Sequence, residues 1–128
     1  MNAWCIYEID AVPLPNINII DFCEAISEKF NVEYFCSVNA VTISIGSKDP
    51  DIIIVICDSS FDITELKKIR NRYLFAYLII FTQVNRQIME KAIKAQLRCL
   101  DFIDSRWSTA DQFYAFNNCI KYISLQIN

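Results

Sequence analysis

A chain of 128 residues lies within the ~100–200 residues of one ordinary domain and predicts a single domain over 1–128. Apolar residues make up 54% against the ~45–50% of globular chains, enough to offset ordering entropy, so a disordered chain is not expected. With 12 Lys+Arg against 15 Asp+Glu and a net charge of -3, no basic excess exists to hold a phosphate backbone, which excludes nucleic-acid binding by this domain alone.

Two near-absences exclude more. The chain has no His, which removes the commonest general base and the usual zinc nitrogen ligand. Ser-His and Cys-His nucleophiles go with it. Gly46 is the one glycine, where average usage of ~7% would place about nine. Walker loops and GxGxxG fingerprints need several glycines for close backbone approach to phosphate, so both are excluded.

The six cysteines, Cys5, Cys23, Cys36, Cys57, Cys99 and Cys119, form no CxxC. Met1 to Glu8 carries neither a basic n-region nor a long apolar h-region. The longest apolar run, Tyr73 to Phe81, is about half of what a membrane-spanning helix needs. A cytoplasmic protein without a membrane segment is expected, its cysteines serving as small core hydrophobes. A redox or metal role for them is the alternative.

Ala3–Ile9 reads as the first strand, closed by Asp10 and Pro13-Leu14-Pro15. Asn16 or Asn18 then caps a helix with Ile19, Cys23, Ile26 and Phe30 at helical spacing. Val32–Val38 is a second strand. Val41–Ile45 alternates like a strand but stands where an alternating α/β chain needs its second helix, and a short, poor helix is assigned within 39–48. Asp51–Cys57 and Tyr77–Thr82 are nearly all apolar, as strands buried on both faces of a parallel sheet are. Between them Asp62 caps Ile63–Arg72, with Leu66, Ile69 and Tyr73 on one face. Asn85 caps the fourth helix, with Ile88, Ala92 and Ala95 in register, and Leu100–Asp104 is a short fifth strand. Ser108 to Asp111 reads as a capping box with Asp for Glu, opening a last helix that carries Phe113, Phe116, Ile120 and Ile123. The sum is (βα)5, a doubly wound, open parallel sheet.

Right-handed crossovers put every strand's carboxyl end on one edge, where ligand chemistry of open α/β sheets gathers. The residues there are Glu8 and Asp10, Asp58, Thr82, and Asp104, Ser105 and Arg106. Carboxylates from neighbouring strands with a hydroxyl suit Mg²⁺ and phosphoryl chemistry. The plainer reading is that strands end in Asp because Asp starts turns.

Pro50-Asp51 opens an apolar strand that ends near Asp58, and Leu66-Lys67-Lys68-Ile69-Arg70 lies on the third helix. Ile79-Ile80-Phe81-Thr82 ends the fourth strand, and Ala92-Ile93-Lys94-Ala95 is followed by Asp101-Phe102-Ile103. In that order these segments resemble the receiver (CheY-like) domain of bacterial response regulators, most of all those of LuxR-type transcription regulators. The resemblance implies a flavodoxin/CheY-like strand order 2-1-3-4-5. It also implies Asp58 as phosphoacceptor candidate, Glu8 and Asp10 as the acidic Mg²⁺ pocket, and Thr82 at the switch position.

The departures from that family bear on function. Glu8 and Asp10 are separated by Ile9, and the phosphoacceptor position six residues after Pro50 is Ile56, with Asp58 two further on. The loop Ser59-Ser60-Phe61-Asp62 is short and lacks the usual Pro and Gly. The Lys-Pro pair after the fifth strand is replaced by Ser105-Arg106, or by Asp104-Ser105 in another alignment, so the lysine that neutralises phosphoryl charge is lost. Arg106 could reach over, though its rigid fork is no ammonium substitute. Gln96 stands where receivers carry Gly.

A degenerate receiver is therefore expected. It would be a non-enzymatic, phosphorylation-independent module that needs no cofactor and meets a protein partner as a homo- or heterodimer. By resemblance, its face is the fourth helix, fifth strand and fifth helix, presenting Arg86, Lys91, Lys94, Arg98, Asp104, Asp111, Phe113 and Lys121, with Tyr114 and Phe116 nearby. Mixed charge suits such a contact; a plain solvated surface is the bland alternative. DNA would be reached through another domain or partner, since no helix-turn-helix lies in these residues. Ser124 to Asn128 continues the last helix without a stop signal, which favours the N-terminal part of a longer regulator. One alternative is a genuine Mg²⁺-dependent phosphoacceptor using Asp58. Another is a redox or small-molecule sensor using Cys57, but on a regular strand Cys57 faces away from Asp58, toward the core.

Overall fold

A computed structural model describes residues 2–7, 30–35, 37–38, 49–58 and 61–127. They form five strands and three helices: β1 (Asn2–Tyr7), β2 (Asn31–Phe35), β3 (Ile52–Ile56), α1 (Ile63–Arg72), β4 (Tyr77–Thr82), α2 (Arg86–Lys94), β5 (Asp101–Asp104) and α3 (Thr109–Ile127). The five strands make one sheet in the order β2-β1-β3-β4-β5, and every ladder is parallel. This is the expected order 2-1-3-4-5. The predicted first helix, apart from Phe30, and the segment 39–48 lie outside the described residues.

β3 explains the layering. All five of its residues are buried, and they alternate between two cores. Ile52, Ile54 and Ile56 join Phe81, Phe116 and Ile123 beneath α3. Ile53 and Val55, followed by Cys57, join Leu66, Ile69, Ile88 and Ala92 beneath α1 and α2. A strand with two apolar faces must be covered twice, and α1 and α2 on one side with α3 on the other do so.

The helix starts follow local chemistry. Asp62 accepts from the Thr64 backbone N–H at 3.0 Å and its hydroxyl at 2.7 Å. Asn85 accepts from the Ile88 N–H at 2.8 Å, and the Ser108 hydroxyl accepts from the Asp111 N–H at 3.1 Å. Each satisfies a backbone donor that a first turn leaves open.

One expectation is corrected. The second strand stops at Phe35, not Val38, because its ladder against β1 ends at the Ile6–Phe35 pair; Val38 is already helical and buried. Phe113, expected on the interaction face, is 40% exposed. The buried row runs Gln112, Phe116, Cys119, Ile120 and Ile123, with Phe113 about 100° around the helix. Gln112 takes the first slot because its Nε2 donates to the carbonyls of Ser105 (3.2 Å) and Trp107 (2.8 Å). Phenylalanine has no donor for those carbonyls.

Gln96 adopts φ 52°, the left-handed region that favours glycine. It sits just past α2, where the Gln96 N–H donates to the Ile93 carbonyl and the Leu97 N–H to that of Ala92, both at 3.0 Å. This is a Schellman closure with Gln where Gly is usual. Replacing Gln96 by Gly is expected to stabilise the fold by about 1 kcal/mol, read as a higher urea midpoint with an unchanged slope. An equal or lower midpoint would refute that strain.

Candidate functional site

The sheet register brings the predicted residues to one edge. Ile56 is level with Phe81, which is level with Ile103, and Thr82 is level with Asp104. Ile56, at the family's phosphoacceptor position, is fully buried and offers no reactive group. Asp58 is the first acid beyond it, half-buried, and its carbonyl accepts from the Phe61 N–H at 3.2 Å. Glu8 and Asp10 lie outside the described residues, as do Ser59 and Ser60.

Thr82 and Ser105 meet at this edge. The Ser105 N–H donates to the Thr82 carbonyl at 2.9 Å. Both side chains are fully buried, and neither Thr82 Oγ1 nor Ser105 Oγ has a hydrogen-bond partner among the described residues. Two neutral hydroxyls can orient a hydrogen bond but cannot neutralise an anion.

The nearest cation in sequence is held elsewhere. The backbone N–H and Nε of Arg106 donate to Asp104 Oδ1 at 2.9 and 3.1 Å, and Nη2 donates to Oδ2 at 2.8 Å. Nη2 also donates to the Val84 carbonyl at 2.7 Å. These bonds hold the Asp104 carboxyl below its usual range and raise the Arg106 guanidinium. Asp104 is 6% exposed, so it lies under Arg106 and not on the predicted interaction face. Arg106, in turn, is clamped to the end of β5 and does not reach over as the sequence allowed.

Among the described residues, no group of three metal-ligating side chains is assembled. Nor is any described helix long and apolar enough to cross a membrane. The four described cysteines, Cys5, Cys57, Cys99 and Cys119, are free thiols. Cys57 is fully buried. Burial first, then the Asp101 charge, pushes Cys99 up to about 11 and Cys119 up to about 12, which keeps both protonated and unreactive at neutral pH.

β5 is an open edge, flanked by two grooves. One, of about 540 Å³, lies between β5 and α3 and is lined by Trp107, Asp111, Tyr114, Asn118 and Tyr122. The other, of about 490 Å³, lies between α2 and β5 and is lined by Met89, Ile93, Gln96, Arg98 and Phe102. Leu100 and Asp101 border both; burial raises the Asp101 carboxyl, which accepts from the Cys119 thiol at 3.9 Å. Of the predicted face, Arg98 and Asp111 line these grooves. Arg86, Lys91, Lys94, Phe113 and Lys121 are exposed outside them, and Arg86 is bonded to Glu90 at 2.9 Å. Phe116 is core. The apolar groove residues Ile93 (72% exposed) and Trp107 (45%) were not singled out from sequence. An isoleucine beside Ala92 on an amphipathic helix reads as core until the helix is rotated into place.

No family model matches the chain, and no curated protein matches it in sequence. Solved structures do share its fold, response-regulator receiver domains among them. A CheY-like response regulator from Mesorhizobium loti superposes with a TM-score of 0.67 at 10% identity, over 95% of this chain and 98% of that one. The receiver domain of RcsB from Salmonella enterica serovar Typhimurium, solved with phosphomimetic BeF3-, gives 0.63 at 15%, over 94% and 88%. A LuxR-family DNA-binding response regulator from Staphylococcus aureus gives 0.58 at 16%, over 93% and 98%. The chain has the CheY-like receiver fold, in a divergent sequence.

The Asp104–Arg106 clamp predicts a pH signature. A carboxyl lowered in the folded state stabilises the fold fully above its unfolded value of ~3.9, and that contribution is lost as pH falls through the lower folded value. Asp104→Asn should reduce stability at neutral pH and flatten its decline between about pH 5 and 2, followed by urea unfolding across that range. Parallel acid limbs in variant and parent would show that the clamp contributes nothing.

Proposed function

We propose that this chain is a pseudo-receiver, a non-enzymatic signalling module that works through protein contact and without phosphorylation. The observation that carries this reading is the chemistry at the end of β5. Ser105 stands buried at the lysine position, and Arg106 spends its charge on Asp104. A phosphoryl group on Asp58 would bring about two negative charges to an edge where the described residues offer neutral hydroxyls. Mg²⁺ at this edge would draw on Asp58 together with Glu8 or Asp10.

The contact surface in this reading is the β5 edge with its two grooves. Ile93, Trp107 and Tyr114 supply exposed apolar and aromatic area of the kind that anchors interfaces. Lys91, Lys94, Arg98, Asp111 and Lys121 supply a mixed-charge rim that favours a complementary partner, whether a second copy or another regulator. A role in transcription control, through a DNA-binding domain or partner outside these residues, follows by analogy with the regulators that share the fold. Free thiols in the described core fit a cytoplasmic setting.

The test is an amide NMR titration with Mg²⁺ and beryllium fluoride. The expected result is no saturable shift at Asp58, Thr82 or Ser105. Saturable shifts there that spread into α2 and β5 would overturn this reading in favour of the phosphoacceptor one.

A further inference from the structure

At the opposite edge, where β4 and β5 begin, a small cavity holds a buried charge that no carboxylate among the described residues pairs. Arg70, near the end of α1, is 5% exposed. Its Nη1 donates to the carbonyls of Ala76 (2.7 Å), Tyr73 (3.2 Å) and Leu74 (3.4 Å). Carbonyls solvate a guanidinium but bring no counter-charge. Its Nε is buried without a hydrogen-bond partner among the described residues. Buried arginines are otherwise paired, because an isolated charge out of water is costly.

The second charge is also positive. Arg98 lines the same cavity, and among the described residues it makes no ion pair. Among the described residues, the groups that act electrostatically on Arg70 are Arg98 and Cys99, neither a carboxylate, and the Cys99 thiol stays neutral. Tyr77 and Tyr122 form a wall, their rings 6.2 Å apart and nearly perpendicular. The volume is about 220 Å³, below the ~300–1,000 Å³ that holds a drug-sized molecule, so the fitting occupant is a small anion. Two guanidinium groups match a doubly charged oxyanion in charge.

We propose that Arg70 and Arg98 form a binding site for a phosphate group, at the end of the sheet opposite Asp58. The phosphate is carried either by a small soluble molecule or by a lipid headgroup. Leu74 and Phe75, 52% and 95% exposed on the adjoining turn, give the second source a physical basis, since an apolar tip beside a phosphate site suits a membrane surface.

The first arm titrates the protein with inorganic phosphate, against sodium chloride of equal ionic strength, and follows amide resonances of 74–78 and 98–100. Saturable shifts with phosphate alone are expected, and Arg98→Gln, at an exposed position, should weaken them roughly tenfold or more while leaving the unfolding midpoint in chloride unchanged. The second arm sediments the protein with phosphatidylglycerol and with phosphatidylcholine vesicles. Retention on phosphatidylglycerol alone, lost in Arg98→Gln and in Phe75→Ser, identifies a headgroup; no retention beside a positive first arm identifies a soluble phosphate. Shifts no greater than those in chloride, or equal in Arg98→Gln, overturn the site.

Discussion

Ile52 to Ile56 has no face that can meet water, and the layering of the molecule answers that constraint. An apolar strand of this kind is stable when it is paired on both sides and covered above and below. β1 and β4 pair with it, and helices close both faces. All ladders being parallel, the connections must cross over, and the carboxyl ends gather at one edge while the amino ends gather at the other. Both candidate small-ligand sites inherit their position from this arrangement.

At the carboxyl edge, the loop after β5 is organised by two side chains acting on backbone carbonyls. Gln112 reaches from α3 to the carbonyls of Ser105 and Trp107, and Arg106 reaches to that of Val84 while holding Asp104. The loop is thereby tied both to the helix that follows it and to the segment after β4. A side chain held by three hydrogen bonds is poorly placed to move toward a new charge, since any such movement first breaks charge-assisted bonds. In this chain the cation beside Ser105 completes a structural clamp with Asp104.

The open side of β5 and the amino edge differ in chemistry. Along β5 the exposed surface is broad, aromatic and mixed in charge, as protein contacts are. At the amino edge it is narrow and cationic, with Arg70 buried. The two meet at Arg98, Cys99 and Leu100, which line both the α2–β5 groove and the arginine cavity. An anion held by Arg98 would therefore change the charge at the border of the contact surface.

Much of the fold was legible in the sequence because it rests on local signals. The apolar runs at 52–56 and 77–82, and the caps Asp62, Asn85 and Ser108, each act over a few residues, and the parallel order follows from their alternation. The carboxyl-edge residues were legible too, because strand ends are where an open α/β sheet puts them. What tertiary structure decided was which side chains answer each other across elements. Spacing picked out Phe116, Ile120 and Ile123 but not Gln112, which the carbonyls of a neighbouring loop hold in the same buried row. Arg106 looked free to approach Asp58 until Asp104 and the Val84 carbonyl were seen to hold it. Arg70 and Arg98 are 28 residues apart in the chain, with nothing in either neighbourhood to link them. Periodicity reports which face of an element is apolar, because that is a property of consecutive residues. Charge compensation and hydrogen-bond satisfaction depend on distances that exist once the sheet and its helices have packed.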